Sequence, residues 1–264
     1  MGNRYQDHIY LGTVLLEKNR WVDGVRHPSL AVSDWMDRFA DDGFDGLELW
    51  ENHAALASDE EREKLRQAPV PVKIFNSYDR CENETRPARQ QAAELAKFFG
   101  ADGMKFNFGR VPDRHERYVE NVKEWRTLLP RDFRFLCECH GGTTMEDPEK
   151  AAATFRDIGR DDYEVIIHGF GGHDDALRKL FACHGDRITH VHVSFSSKGP
   201  MPDAEVQARV DLLKTLGFCG SFTIEFTEGV GSDDECVETL YRNAVRDMKQ
   251  LRQAQETGVG QNDR

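Results

Sequence analysis

Four side chains in the second half of the chain are of types that bind transition metals and move protons, and they recur at nearly even intervals. Glu138 closes FRFLCE, His168 closes YEVIIH, His192 closes ITHVH and Glu225 closes FTIE, with separations of 30, 24 and 33 residues. One strand, one helix and their connections occupy about that length, so each residue is expected at the end of its own strand. Two carboxylates and two imidazoles on one face suit a single divalent ion per chain, Mn2+, Zn2+, Co2+ or Fe2+ rather than the all-oxygen shell of Ca2+. Each residue alone has an ordinary reading, as a solvated loop glutamate or a hydrogen-bonded interior histidine. His190, on the same strand face as His192, invites that reading too. The set outweighs the single residues, because buried charge is costly unless it is paired or metal-bound.

A wider ring of candidates for substrate binding accompanies the four. Glu48 ends the second apolar run, and Trp50 and His53 follow it near the same rim; Trp50 can stack on a sugar ring or simply pack at the mouth. Lys105 shares a strand face with Asn107. It can orient a substrate hydroxyl, act as a base if desolvation lowers its pKa, or run out to solvent. His140 lies two residues beyond Glu138 and His173 sits in the glycine-rich GFGGHDD; Arg110, after FNFG, is the nearest cation for an anionic group.

The elements that must position these residues are legible as a rhythm. Short apolar or β-branched runs (IYLGTVLL from Ile9, GLELW from Gly46, VPVKIF from Val70, DGMKFNF from Asp102, FRFLCEC from Phe133, YEVIIHGF from Tyr163, ITHVHVSF from Ile188, SFTIEF from Ser221) alternate with charged segments of helical period. Several helical segments, such as SLAVSDWMDRFADDG and AEVQARVDLLKTLG, stop on glycine. Strand alternating with helix implies parallel strands joined by crossovers. Eight such units predict an α/β fold, a single closed (β/α)8 TIM barrel, with chemistry where strands end and loops begin. No glycine-rich nucleotide fingerprint follows the first strand or appears elsewhere. One domain is expected over residues 1–252, with a polar, flexible tail over 253–264.

Composition narrows the partners. A net charge of −12 over 264 residues argues against a broad grip on nucleic acid. No apolar run is long enough for a bilayer and the first residues lack a secretory signature, so a cytoplasmic location is expected. The six cysteines show no C-x-x-C spacing; Cys137 and Cys139 flank Glu138 and alternate away from it, as reduced structural thiols.

Several stretches resemble the xylose isomerase-like barrels, the sugar phosphate isomerases/epimerases. GFDGLEL from Gly43 resembles that family's second strand, CECHGGT from Cys137 its fifth-strand glutamate and polar loop, DRITHVHVS from Asp186 the seventh-strand segment ending in a metal-binding histidine, and GFCGSFTIEF from Gly217 its eighth-strand glutamate. The resemblance implies that Glu138, His192 and Glu225 are metal ligands and that both glutamates face the substrate carbons. At the sixth strand the family usually has aspartate followed by histidine, whereas this chain has His168 and then His173, giving a softer, less anionic shell.

A metal between two carboxylates suits proton transfer beside a carbonyl, with Glu138 and Glu225 as the acid/base pair. The reaction expected is a sugar or keto-sugar isomerisation or epimerisation. A lyase or dehydratase acting on a keto-sugar, keto-inositol or keto-glycoside (inosose dehydratase-like) is the alternative. Less favoured are an abasic-site endonuclease, against which the charge speaks, and a non-catalytic binding barrel. The partner expected is a small polar substrate, with no nucleic acid and no membrane; relatives form dimers or tetramers, so a homo-oligomer is compatible.

Overall fold

The computed structural model describes residues 5–21, 27–79, 81–159, 163–195 and 199–257. Eight parallel strands close into a barrel in sequence order: β1 (Ile9–Gly12), β2 (Gly46–Trp50), β3 (Val72–Asn76), β4 (Gly103–Phe106), β5 (Arg134–Glu138), β6 (Tyr163–His168), β7 (Ile188–Ser194) and β8 (Ser221–Phe226). Around them run α1 (Met36–Asp42), α2 (Glu51–Ala55), α3 (Asp59–Arg66), α4 (Arg86–Phe98), α5 (His115–Thr127), α6 (Pro148–Ile158), α7 (Asp174–His184), α8 (Asp203–Thr215) and α9 (Val237–Thr257). The chain has the (β/α)8 TIM-barrel fold. Gly43 and Gly217, where the sequence stops two of the helices, have φ of +91° and +87°. A Cβ disfavours that conformation, so glycine ends the helix and releases the chain toward the next strand.

Two sequence boundaries shift. The first run is strand only to Gly12; Thr13–Leu16 form a 3-10 turn. The last helix continues past residue 252 to Thr257, with Ala254 and Gln255 buried against the body. Residues 258–264 of the expected tail lie outside the described residues.

Strand alternation sorts the side chains into two interiors. Leu47, Leu49, Phe75, Met104, Phe135, Val165 and Val191 join the large core between barrel and helices. Pointing the other way, Tyr10, Ile74, Leu136 and Ile166 form a separate apolar cluster inside the barrel. Two residues further along β3, β5 and β6 come Asn76, Glu138 and His168, so a polar layer lies above the apolar plug, toward the strand C-termini.

Register decides which side chains meet in that layer. Val165 pairs with Ile188, but Ile166 pairs with His190 and His168 with His192, a slip of one residue. Without the slip His168 would sit opposite Val191, whose side chain belongs to the outer core.

The turn after β1 is clamped by buried polar groups. Thr13 Oγ1 accepts the Trp50 backbone N–H at 2.9 Å and meets His53 Nδ1 at 2.9 Å. The Glu17 carboxylate meets His53 Nε2 at 3.2 Å and accepts the N–H groups of Asn19 and Ser29. Burial alone would raise the pKa of Glu17; the His53 contact and the backbone donors outweigh it and hold the pKa down at about 2. The carboxylate's folded value is thus depressed, so its stabilisation is complete above the unfolded value of 4.5 and is lost as pH falls toward 2. The amount is on the order of 3 kcal/mol. Thermal melts between pH 5 and pH 2 should show this loss for the native protein and a shallower pH dependence for Glu17→Gln; identical slopes would remove Glu17 as the titrating clamp.

Candidate metal centre

Glu138, His168, His192 and Glu225 each offer one ligand atom, and these atoms lie within 4.8 Å of one another at the C-terminal mouth of the barrel. His192 Nδ1 is 3.3 Å from Glu138 Oε1 and 3.4 Å from Glu225 Oε2. His168 lies across the gap, with Nε2 3.0 Å from Glu138 Oε1 and Nδ1 3.8 Å from Glu225 Oε2. Metal–ligand bonds of about 2.0–2.2 Å place neighbouring donors roughly 3–4.4 Å apart, the range these contacts occupy.

Two further observations fit an ion here. Glu225 Oε2 and His192 Nδ1 are buried and have no hydrogen-bond partner among the described residues, although such atoms are normally satisfied. The charges also leave a remainder. Glu48, Glu138 and Glu225 are buried with Lys105, so three carboxylates meet one ammonium, and a divalent ion with neutral imidazoles would balance the other two charges.

The layer beneath holds the ligands in place. Lys105 Nζ is 2.8 Å from Glu138 Oε2, Asn107 Nδ2 donates to the same oxygen at 2.8 Å, and Lys105 also donates to Asn107 Oδ1 at 3.0 Å. Burial pushes the Glu138 pKa up, but the Lys105 charge and the His168 and His192 contacts outweigh it and hold it well below the usual carboxylate range. Lys105, by the reciprocal effect, is raised despite burial. It stays an ammonium, and the sequence-based option of a lysine base is corrected.

Glu48 is likewise corrected. Rather than ending β2 at the rim, it sits inside the barrel with no exposure. Asn76 Nδ2 donates to it at 2.6 Å and Thr223 Oγ1 at 2.8 Å, and His192 Nε2 lies 3.2 Å away. Burial works against its ionised form, and the charge of His192 with both histidine contacts overrides this, so it is held ionised. A carboxylate at Nε2 keeps the proton there and turns a bare Nδ1 toward the ligand group. Without an ion, Glu48 and Glu225 raise His192 well above the ordinary histidine value in spite of burial; a bound ion would take that proton's place. His190 is an interior residue, 2.7 Å from Ser221 Oγ and 2.8 Å from Thr223 Oγ1.

The remaining candidates divide. His140 and Arg110 line the basin over the carboxylates, a cavity of about 260 Å3. Trp50 is 1% exposed and packs edge-on against His53, so it is core and offers no stacking face. His173 is exposed at the N-cap of α7, outside the basin lining. The sequence reading missed Tyr78, Arg20, Trp21 and Phe226, which line the basin. Tyr78 stands two residues past the end of β3, and the strand-end rule applied there would have found it. Its ring carries Lys105 Nζ 4.0 Å from the centroid. Burial and the charges of Glu225, Glu138 and Glu48 push its pKa up, so it remains a neutral hydrogen-bond donor. Arg20 and Trp21 follow the clamped turn in a loop without periodic signal.

No family model and no curated protein matches the sequence. Solved structures do match in fold. L-ribulose 3-epimerase is 12% identical, with 98% of this chain and 99% of that one covered and a TM-score of 0.67. The probable 3-DHS dehydratase AsbF from Bacillus anthracis is 15% identical, with 93% and 98% covered and a TM-score of 0.64. Endonuclease IV from Thermus thermophilus is 14% identical, with 96% and 99% covered and a TM-score of 0.61. These neighbours are enzymes of three reaction types on one fold, so the chemistry must be argued from the site residues.

Removing the buried ammonium tests this geometry. Lys105→Met should cost about 3–5 kcal/mol in urea unfolding, because it leaves the glutamates uncompensated. A loss below about 1 kcal/mol would show that the carboxylates are not charged together as described.

Proposed function

We propose that the protein is a divalent-metal-dependent isomerase or epimerase of a sugar or keto-sugar, with Glu138 and Glu225 exchanging the substrate proton. The observation that carries this reading is the pair of buried carboxylates bracketing His168 and His192, with one oxygen of Glu225 uncommitted. Glu138, His168, His192 and Glu225 would hold the ion, which when bound supplies Lewis-acid polarisation of a carbonyl and its neighbouring hydroxyl.

The two glutamates are not equivalent. Glu138 is tied to Lys105 and Asn107 through Oε2, which fixes its direction and lowers its basicity. Glu225 Oε2 accepts no hydrogen bond among the described residues. It is therefore assigned the abstraction from carbon; Glu138, ionised at rest, takes the proton of the neighbouring substrate hydroxyl and delivers it to the opposite face of that carbon, and Glu225 restores the hydroxyl with the proton it removed. Tyr78, kept neutral, donates a hydrogen bond to a substrate oxygen, and Arg110 stands at the mouth.

A lyase or dehydratase is the second reading, favoured by His140. Its ring lies edge-on to His168 with centroids 5.6 Å apart, and it lines the same basin. There it can protonate a departing hydroxyl or alkoxy group beside the carbon that Glu225 deprotonates. A phosphate-backbone substrate would meet a chain of net charge −12. Among the described residues no helix is long and apolar enough to cross a membrane.

Elemental analysis of protein purified without chelator should find near one transition metal per chain, absent from Glu138→Gln/His192→Ala. No metal in the native protein and none taken up on titration would sink this reading. Glu225→Gln should slow turnover by about 10^2- to 10^4-fold and stop wash-in of solvent deuterium at the substrate carbon, with the melting profile retained. Normal exchange in that variant would remove Glu225 as the base. His168→Asp should retain metal and change which ion activates best; unchanged content and unchanged activation by every ion would show that residue 168 is not a ligand.

A further inference from the structure

Between β7 and β8 the ladder takes one residue more from β8 than from β7. Val193 pairs with Ile224 and Ser194 with Phe226, which leaves Glu225 as the extra residue of a β-bulge.

The bulge reverses the alternation of side chains. Phe222 and Ile224 belong to the outer core, while Ser221 and Thr223 meet His190 inside the barrel. Continued alternation would send Phe226 outward and Thr227 inward. Instead Phe226 lines the basin, and Thr227 Oγ1 donates at 2.5 Å to Asp247 Oδ2 on α9, outside the barrel.

Asp247 stands in apolar company. It shares the buried side of α9 with Leu240, Ala244, Met248 and Leu251 and has no exposure itself. A carboxylate there is costly unless it is bonded. Its other oxygen accepts from Arg246 Nε at 2.8 Å, and Arg246 pairs in turn with Glu228 at 2.9 Å. Asn243 Nδ2 donates to the Glu228 carbonyl at 2.9 Å. Thr227 and Glu228, the second and third residues past Glu225, are thus tied to α9.

Glu225 depends on such an anchor more than Glu138 does. Glu138 has Lys105 and Asn107 on one oxygen. Glu225 Oε2 accepts no hydrogen bond among the described residues and faces only the imidazoles of the ligand group, His192 at 3.4 Å and His168 at 3.8 Å. Its direction must come from the backbone.

We propose that Thr227 and Asp247 are positioning residues: their contact holds the bulge, and the bulge aims the Glu225 carboxylate into the ligand group. The consequence for the metal and for proton transfer rests on the proposed function; the aim of the carboxylate does not.

The test reads the carboxylate itself. In metal-free protein carrying 13C at the glutamate side-chain carboxyls, the Glu225 and Glu138 resonances are assigned by their loss in Glu225→Gln and Glu138→Gln. Thr227→Val, close to the native shape without the hydroxyl, should move the Glu225 resonance and leave that of Glu138 in place. Thr227→Ser should restore the native position. Asp247→Ala should reproduce the shift, and Thr227→Val decides alone if that variant fails to fold. Co2+ titration should show about tenfold weaker binding for Thr227→Val than for the native protein or Thr227→Ser.

A Glu225 resonance that stays in place in Thr227→Val overturns the proposal. So does a shift that Glu138 shares equally, one that Thr227→Ser leaves unreversed, or Co2+ binding that Thr227→Val does not weaken. Failure of the metal reading has a different signature: the native protein takes up no Co2+ while the Glu225 resonance still answers to the hydroxyl of Thr227.

Discussion

Three glutamates inside one closed barrel set the terms for everything around them. Glu48, Glu138 and Glu225 are at most 4% exposed, and at such depth like charges cannot stand without compensation. Lys105 neutralises one of them at 2.8 Å, and His192 lies between all three through both ring nitrogens. The rest of the inner layer serves that arrangement: Asn76 and Thr223 hold Glu48, and Asn107 bridges Lys105 and Glu138. Removing a donor here exposes a buried anion rather than merely deleting a contact.

The plug below explains why this chemistry faces one way. Tyr10, Ile74, Leu136 and Ile166 fill the barrel beneath the polar layer, while Arg134 and Glu164 pair at 2.8 Å on residues that precede the plug along β5 and β6. Water and ligands thus reach the carboxylates from the strand C-terminal side, through the connections that carry Tyr78, Arg110 and His140. Those connections set the shape of what enters, and the strands set what happens to it.

Much is legible in the sequence, and for local reasons. Apolar runs alternating with helical segments specify parallel strands with crossovers, and glycines such as Gly43 mark where helices must stop. Glu138, His168, His192 and Glu225 could be chosen because a parallel barrel places the ends of all its strands on one face, so residue type and position along a strand are enough. The amino-acid order therefore determined eight units, the face that would carry chemistry and the four groups there.

Tertiary structure decided who meets whom. Glu48 lies 144 positions from His192 and 175 from Thr223, and only closure of β8 onto β1 brings them together, turning an expected rim residue into an interior one. His168 reaches His192 through a one-residue slip that no strand pattern announces. Trp50 packs on His53 because the turn after β1 folds over it, and His173 is left outside because its loop ends in a helix cap. Side-chain alternation is encoded locally, within a few residues. Register, closure and loop course arise from contacts between distant segments, and these gathered the four side chains into one charge-coupled basin.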